Sequence, residues 1–360
     1  MDEYYMRQAL ALAERGLGRT RPNPMVGAVI VRDNTVVGQG WHKKAGTPHA
    51  EIHALTQAGD LARGATLYVT LEPCSHYGRT GPCADAVIQA GIKKVVVAMV
   101  DPNPLVAGKG LEKLRAAGIE VVEGILAGQA AGLNEVFIKW VTTGMPFGIL
   151  KTAMTLDGKI ATVSGQSQWI TGPPARQFVH TLRDRYDGIL VGIGTVLADD
   201  PALTARLPQA TQNPVRIVAD SLARTPLTAK VVNDEAATIV AVLPEAPPER
   251  REALQKKGVD VVVVPRGKTG IDLKSLFQIL GKRGISSILI EGGPAVNQSA
   301  LAANVVDKVY WFIAPKIIGG TSAPGPVGGE GISCLDAAIL LKNTAIQQVG
   351  EDVLVSGYIV

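Results

Sequence analysis

Short apolar runs alternate with helix-patterned stretches along nearly the whole chain, and that alternation limits its possible folds more than any other feature. A helical spacing runs from Tyr4 to Gly16, and Arg21-Pro22-Asn23-Pro24 breaks it. Val26–Val31 then reads as a buried strand, Asp33-Asn34 as a hairpin turn, and Val36–Trp41 as the returning strand. Further strands are expected over Thr66–Thr70, Lys94–Val100 and Ile119–Val122. Helices are expected over about His49–Gly59, opened by Thr47-Pro48 as cap and first-turn residue, over Pro82–Ala90, near Gly108–Ala117, and through Trp140. An early hairpin followed by strand–helix alternation implies a mixed sheet with helices on both faces. Thr142-Thr143-Gly144-Met145-Pro146 reads as a short linker, after which the alternation begins again. Strands are expected near Phe147–Thr152, Gly188–Gly192, Val215–Asp220, Thr238–Val242, Val259–Val263 and Ser287–Glu291, with Lys308–Ala314 and Val353–Val360 as the last. At 360 residues and 46% hydrophobic, the chain is too long for one ordinary domain and apolar enough for two cores. The expectation is two α/β domains, residues 1–144 and 145–360, with no shared motif between the halves.

Several function classes are disfavoured. No apolar run reaches bilayer-spanning length, and the acidic start Met1-Asp2-Glu3-Tyr4 is wrong for a secretory signal, so a cytoplasmic protein without membrane contact is expected. The net charge of +4 is spread along the chain and aromatic residues make up 4%, which leaves neither a basic groove nor stacking platforms for nucleic acid. Cysteine usage is more informative. There are three, and Cys74 and Cys83 sit near a histidine, which argues for metal or catalytic chemistry over a disulfide framework. Cys334, among small and apolar residues, reads as a buried filler.

Pro48-His49-Ala50-Glu51, Glu72-Pro73-Cys74 and Pro82-Cys83 form the first chemical constellation. One imidazole and two thiolates make a three-ligand zinc set, leaving a fourth position for water, as in catalytic sites. Both cysteines lie where a strand or loop gives way to a helix, where unpaired N–H groups favour the thiolate. Glu51 falls in the first turn of the helix after His49, able to reach that water without ligating the metal. Alone, a His-x-Glu is more often a helix cap, and a Cys pair serves equally as a structural half-site or redox pair. Together they match hydrolytic deamination: zinc acidifies the water, and Glu51 carries its proton to the ring nitrogen and the departing ammonia. The arrangement is the broad zinc deaminase signature, except that eight residues, Ser75 to Pro82, separate the cysteines instead of two.

The run Asn23-Pro24-x-Val26-Gly27, then His42, His49-Ala50-Glu51 and Glu72-Pro73-Cys74-Ser75-His76-x-Gly78-x-Thr80-x-Pro82-Cys83 closely resembles the bifunctional riboflavin-biosynthesis deaminase/reductases. The resemblance covers essentially the whole chain. It implies a cytidine-deaminase-like first domain with one zinc ion per chain, acting on a phosphoribosylamino-diaminopyrimidinone to give the corresponding uracil. It further implies that Asn23, His42 and His76 line the deaminase pocket. Asn103, in the rigid Asp101-Pro102-Asn103-Pro104 loop, is a candidate to close it.

The second domain lacks a Gly-x-Gly-x-x-Gly turn; Glu291-Gly292-Gly293-Pro294, after an apolar strand and before a helix, is the nearest phosphate-binding candidate. Alone it is a weak signal. It is accompanied by Lys151-x-Ala153-x-Thr155-x-Asp157-Gly158-Lys159, Ser167-Gln168-Trp169, Arg183-x-Arg185-x-Asp187-Gly188, Val191-Gly192-x-Gly194-Thr195 and Asp199-Asp200-Pro201. These resemble the reductase half of the same family, which implies a dihydrofolate-reductase-like α/β fold and NADPH as cofactor. By that resemblance Ala153, Trp169, Thr195, Asp199, Ser221 and the loop Gly293, Pro294, Ala295, Val296, Asn297, Gln298, Ser299 hold the cofactor. Ser167, Arg183, Leu203, Arg206 and Glu291 hold the substrate, whose phosphate a guanidinium fork suits. Lys151 and Asp199 are the candidates for proton handling and positioning as the ribosyl carbon is reduced. Arg224 is a candidate to read the cofactor's 2′-phosphate. The expected partners are a phosphorylated pyrimidine and further copies of the chain, as a dimer or tetramer. The rival readings are a zinc nucleobase or nucleic-acid deaminase with an attached nucleotide-binding domain, a non-enzymatic zinc module, and a deaminase with a decayed reductase. The presence of Glu51, Lys151, Asp199 and Glu291 argues against the last two.

Overall fold

The computed structural model describes residues 1–77, 81–104, 106–208 and 212–360; Gly78 and Thr80 of the cysteine-loop motif lie outside the described residues. The chain divides into two compact units, Met1–Gly144 and Met145–Val360. Thr142 and Thr143, read as linker, instead complete a helix that ends at Gly144, whose φ of 70° supplies the left-handed stop.

In the first unit a five-stranded sheet runs in the order β2-β1-β3-β4-β5. The strands are β1 (Gly27–Arg32), β2 (Thr35–Trp41), β3 (Thr66–Val69), β4 (Lys94–Val97) and β5 (Glu120–Glu123). β1 pairs antiparallel with β2 and β3, and β3, β4 and β5 run parallel. Asp33 and Asn34 both adopt positive φ, as a two-residue hairpin turn requires. Residues alternate across the sheet: Ala28 and Ile30 join the core under α2 (Ala50–Ala58), α3 (Cys83–Gln89) and α4 (Lys109–Ala116). Val29 and Val31 join the opposite core under α1 (Asp2–Glu14). Both faces are therefore buried, and the mixed α/β expectation holds. α5 (Ala127–Leu133) and α6 (Glu135–Thr143), read as one helix, are broken at Asn134. The buried side chain of Asn134 accepts from Met25 N–H at 2.8 Å and donates to the Met25 carbonyl at 3.0 Å, tying this break to the segment ahead of β1.

The second unit holds a nine-stranded sheet in the order β10-β9-β8-β7-β13-β6-β14-β16-β15. Its strands are β6 (Phe147–Thr155), β7 (Gly188–Gly192), β8 (Val215–Ala219), β9 (Thr238–Val242), β10 (Asp260–Val263), β13 (Ser287–Ile290), β14 (Lys308–Ala314), β15 (Leu341–Val349) and β16 (Asp352–Ile359). A small separate hairpin pairs β11 (Arg266–Gly267) with β12 (Gly270–Ile271). β10 through β14 in that order pair in parallel, and β16 and β15 add an antiparallel edge. The helices are α7 (Pro173–Arg185), α8 (Ile193–Asp199), α9 (Pro248–Lys256), α10 (Leu273–Lys282) and α11 (Pro294–Ala302). Leu190 and Ile217 face the core that takes Phe277 and Leu280 of α10, whereas Ile189, Val191 and Val218 face the core that takes Leu254 of α9. β15 was not expected from the sequence. Eight of its nine residues are exposed, so it lacks an apolar rhythm, and pairing with β16 makes it a strand. Cys334 is exposed, not a buried filler, because the stretch before β15 runs along the surface with Ile332 and Leu335 also open to solvent. Among the described residues no helix is long and apolar enough to cross a membrane.

Candidate active sites

The first site forms where α2, β3 and α3 meet. α2 lies directly on β2 because Gly40 has no side chain: a Cβ there would stand 2.5 Å from the Ala50 carbonyl oxygen. His49 is the N-cap of α2, with extended backbone angles that turn its ring away from the helix. Thr47, expected as the cap, instead donates its hydroxyl to the Lys44 carbonyl at 2.7 Å. His49 Nδ1 lies 3.3 Å from Cys83 Sγ and 3.7 Å from Cys74 Sγ, and the three ligand atoms fall within 4.8 Å of one another. Cys83 opens α3, as expected. Cys74 lies in the loop after β3, yet its sulfur accepts the Cys83 backbone N–H at 3.3 Å, so the same helix terminus serves both sulfurs. One nitrogen and two sulfurs in mutual reach are a donor set that zinc takes.

Glu51 is buried at 3% exposure, and its Oε2 has no hydrogen-bond partner. Burial pushes its carboxyl up to about 7, against the opposing pull of His49. A buried carboxylate with an unpartnered oxygen, beside three side chains able to hold a metal, is suited to moving protons there.

His42 and Asn23 come together: Asn23 Nδ2 stands 3.4 Å from His42 Nε2, and the His42 ring packs edge-on to His49 with centroids 5.4 Å apart. His42 Nδ1 faces the Pro48 carbonyl at 3.4 Å, which can only accept, so Nε2 is left to accept from Asn23. Burial lowers the His42 pKa, in keeping with a neutral ring. Asn103 hangs on Asp101, whose Oδ1 accepts its backbone N–H at 2.8 Å. His76 is exposed in the segment that follows Cys74.

The second site centres on Glu291, at the end of β13. Arg183 of α7 grips it with two parallel bonds, Nε to Oε1 at 2.7 Å and Nη2 to Oε2 at 3.0 Å. Lys151 of β6 reaches Oε2 at 3.4 Å. Burial would raise the Glu291 pKa, but Arg183 and then Lys151 outweigh it and hold the carboxyl at about 2. Arg183 Nη1 also donates to the Thr204 carbonyl at 3.3 Å, and Arg206 Nη1 to the Thr204 hydroxyl at 3.4 Å, which brings Arg206 into the cluster. Three cations against one carboxylate leave a surplus of positive charge. The Leu203 side chain is in the core at 2% exposure and a φ of 54°, so what it can offer a ligand is backbone.

Asp199, at the end of α8, accepts from the Ser167 hydroxyl at 3.4 Å, and Lys151 is engaged by Glu291 instead. Gly292 leaves room for α11: a Cβ there would stand 2.6 Å from the Val296 side chain, so this glycine serves helix packing. Gly293 is the more open of the two, with the Thr195 hydroxyl its nearest neighbour at 3.9 Å. Asn297 is buried with Oδ1 unpartnered, while its Nδ2 donates to the Pro326 carbonyl at 2.8 Å. Ser299 meets Thr269 of the β11–β12 hairpin at 2.8 Å, and Ser221 lies beside Gly270 of that hairpin. Trp169 is 60% exposed under the Arg176 guanidinium, and Ala153 is partly buried on β6. Pro294 and Gln298 are partly buried and Ala295 is exposed along the same helix. Arg224 Nε stands 3.8 Å from buried Asp220, a partner with which any 2′-phosphate would compete.

His180 is a residue that the sequence reading missed. Its Nδ1 accepts the Arg206 backbone N–H at 3.2 Å, and burial, with Arg183 and Arg206 close by, pushes its pKa down to about 4. The available signal was its spacing: His180 and Arg183 are three apart on α7 and share a face.

Residues 1–99 match the family model for the cytidine and deoxycytidylate deaminase zinc-binding region, and residues 146–355 match that for the RibD C-terminal domain. The chain is 48% identical to the riboflavin biosynthesis protein RibD of Actinobacillus pleuropneumoniae, covering 98% of this chain and 94% of that one. It is 46% identical to the RibD of Escherichia coli strain K12, covering 98% of each. Among solved structures, RibD of Acinetobacter baumannii superposes with a TM-score of 0.91 at 42% identity, covering 100% of this chain and 99% of the other. A deaminase/reductase from Thermotoga maritima superposes with a TM-score of 0.89 at 40% identity, covering 100% and 99%.

Proposed function

The chain belongs to the RibD family of bifunctional riboflavin-biosynthesis deaminase/reductases, and we propose that its first unit deaminates a phosphoribosylamino-diaminopyrimidinone and its second reduces the resulting uracil with NADPH. The observation that carries the reading is the convergence of His49, Cys74 and Cys83 beside a buried carboxylate with an unpartnered oxygen. Bound there, zinc supplies Lewis acidity to a water. Glu51, buried with an unpartnered oxygen, accepts that water's proton and delivers it first to the ring nitrogen and then to the departing ammonia. Asn23, with the neutral His42 ring that its amide donates to, lines the pyrimidine edge, while His76 and Asn103 close over the sugar phosphate side.

In the second unit Gly293, Thr195, Ser221, Asp199 and the first turns of α11 hold the cofactor, which supplies the hydride. Arg183 and Arg206 attract the phosphate, with Glu291 fixing the guanidinium plane of Arg183. Lys151, held in place by Glu291, donates a proton toward the exocyclic nitrogen, and Asp199 orients the ribosyl group through Ser167. We place the enzyme in the cytoplasm, where Cys74 and Cys83 stay reduced for metal. The chain also assembles as a homo-oligomer in this reading, supported by the exposed edge strand β15 with Ile339, Leu340 and Ile346 open to solvent.

The test is metal content and deamination in Cys83→Ser. Serine keeps the shape but stays protonated at neutral pH, so zinc should fall from about one per chain toward none, and deamination with it. A variant that kept full zinc and full turnover would remove Cys83 from the ligand set.

A further inference from the structure

We propose that Glu72 is a positioning residue of the deaminase, a clamp that holds the metal-ligating Cys74 segment and the Asn103 loop in one fixed arrangement; the inference rests on the pocket reading of Asn103 given above. Glu72 follows β3 and precedes Pro73-Cys74, yet its carboxylate crosses to the end of β4 and the start of α4. Oε2 accepts the backbone N–H of Asp101 at 3.1 Å and of Gly108 at 2.9 Å. Oε1 accepts the N–H of Gly110 at 2.7 Å and of Leu111 at 3.4 Å. Its own N–H donates to the Met99 carbonyl at 3.0 Å. The side chain is 5% exposed.

Three consequences follow from that geometry. One carboxylate oxygen joins Asp101 and Gly108, the two ends of the loop that bears Asn103, so it closes that loop as a ring. The other oxygen caps α4, whose N-cap is Gly108 and which has no side-chain cap of its own; a carboxylate at a helix N-terminus is favoured by the helix dipole. Finally, Gly110 allows no separation between α4 and the cysteine segment: a Cβ there would stand 2.0 Å from the Pro73 carbonyl oxygen. Cys74 and Asn103 are thus fixed relative to each other through a single charged side chain, and Asp101 passes the constraint on by accepting the Asn103 N–H. Glu72 touches no ligating atom in this arrangement and acts through the backbone groups it holds.

The variant is Glu72→Gln in the full-length, zinc-loaded protein. An amide has one acceptor oxygen where the carboxylate has two, so two of the four bonds lose their acceptor and the charge at the α4 terminus is removed. Amide exchange in peptides spanning 98–112 should quicken by about tenfold or more. KM for the deaminase substrate should rise by about tenfold, the scale of losing charge-assisted hydrogen bonds, with kcat within about threefold and zinc content unchanged. Reduction of the uracil intermediate by the second unit should be unaltered. Asn103→Ala is measured alongside. If it raises KM and Glu72→Gln does not, the clamp is overturned; if it leaves KM unaltered, the pocket reading of Asn103 fails and takes the inference with it. Loss of zinc and kcat at constant KM would also overturn the clamp, since the Asn103 loop would then not depend on Glu72. Should Glu72→Gln not fold, Glu72→Asp, with the charge kept and the reach shortened, is held to the same outcomes.

Discussion

Single side chains carry most of the chemistry, and their environments assign the roles. Glu51 and Glu291 are both buried carboxylates, yet burial dominates in the first and lifts it to about 7, while Arg183 and Lys151 dominate in the second and hold it at about 2. The first is therefore suited to exchanging protons at neutral pH, and the second is a permanent anion that orients cations. His180 follows the same logic with the opposite sign. Burial and the nearby arginines depress it, so it stays neutral from alkaline pH down to about 4 and takes up a proton only below that. An NMR titration of the five histidines, with His180 assigned by its loss in His180→Gln, should show its ring unchanged between pH 8 and 5.5 and a midpoint near 4. Arg206→Ala should move that midpoint upward. A midpoint at the ordinary value of about 6.5 would mean that the ring is neither buried nor faced by the two guanidiniums.

At the scale of elements, the deaminase site depends on how closely α2 approaches the sheet. Gly40 and Gly38 set that distance, because added Cβ atoms would stand 2.5 Å from the Ala50 carbonyl oxygen and 2.2 Å from that of Ala54. Gly40→Val should lift the start of α2 and carry the His49 ring away from the two sulfurs. The expected result is a loss of zinc affinity of at least about tenfold and a matching loss of deamination, with reduction of supplied uracil intermediate intact. Zinc titration against a competing chelator checks it, and unchanged affinity would show that α2 tolerates the added bulk. The elements also show why the cap expectation failed. Thr47 has the right chemistry for an N-cap, but its hydroxyl is taken by Lys44, and His49 occupies the cap position with its ring committed to the cysteines. Capping preference is a local tendency, and the tertiary demand on His49 overrides it.

For the molecule as a whole, the question is whether the two activities stand apart. Every hydrogen bond described within either site stays inside its own unit, Met1–Gly144 or Met145–Val360. Glu51→Gln should retain zinc, lose deamination by at least about 10²-fold, and still oxidise NADPH on supplied uracil intermediate. Lys151→Ala should deaminate at the wild-type rate and fail in that reduction. Loss of reduction in both variants would mean that the sites are coupled. The exposed edge at β15 gives a second expectation at this scale. Sedimentation velocity should report a multiple of the 37.7 kDa chain mass, and Ile346→Lys, a charge placed on that edge, should shift it toward the single chain. A wild-type protein that sediments as a single chain removes the assembly.

The sequence by itself determined the fold class and the two-part organisation and pointed to the side chains proposed to hold the metal, because each is written in local periodicity or in residue types that do little else together. Buried strands such as Gly188–Gly192 and Thr238–Val242 announce themselves by unbroken apolar runs. His49, Glu51, Cys74 and Cys83 announce themselves by chemistry. Tertiary structure alone decided what depends on contacts between residues far apart in the chain. It paired β15 with β16 despite a polar, exposed sequence, placed Cys334 in solvent, and spent Arg183 on Glu291, 108 residues away. It also set the Glu72 carboxylate on backbone amides 29 to 39 residues onward. Such contacts leave no periodic trace in the sequence, since the energy of a hydrogen bond or ion pair depends on where the fold brings its two ends.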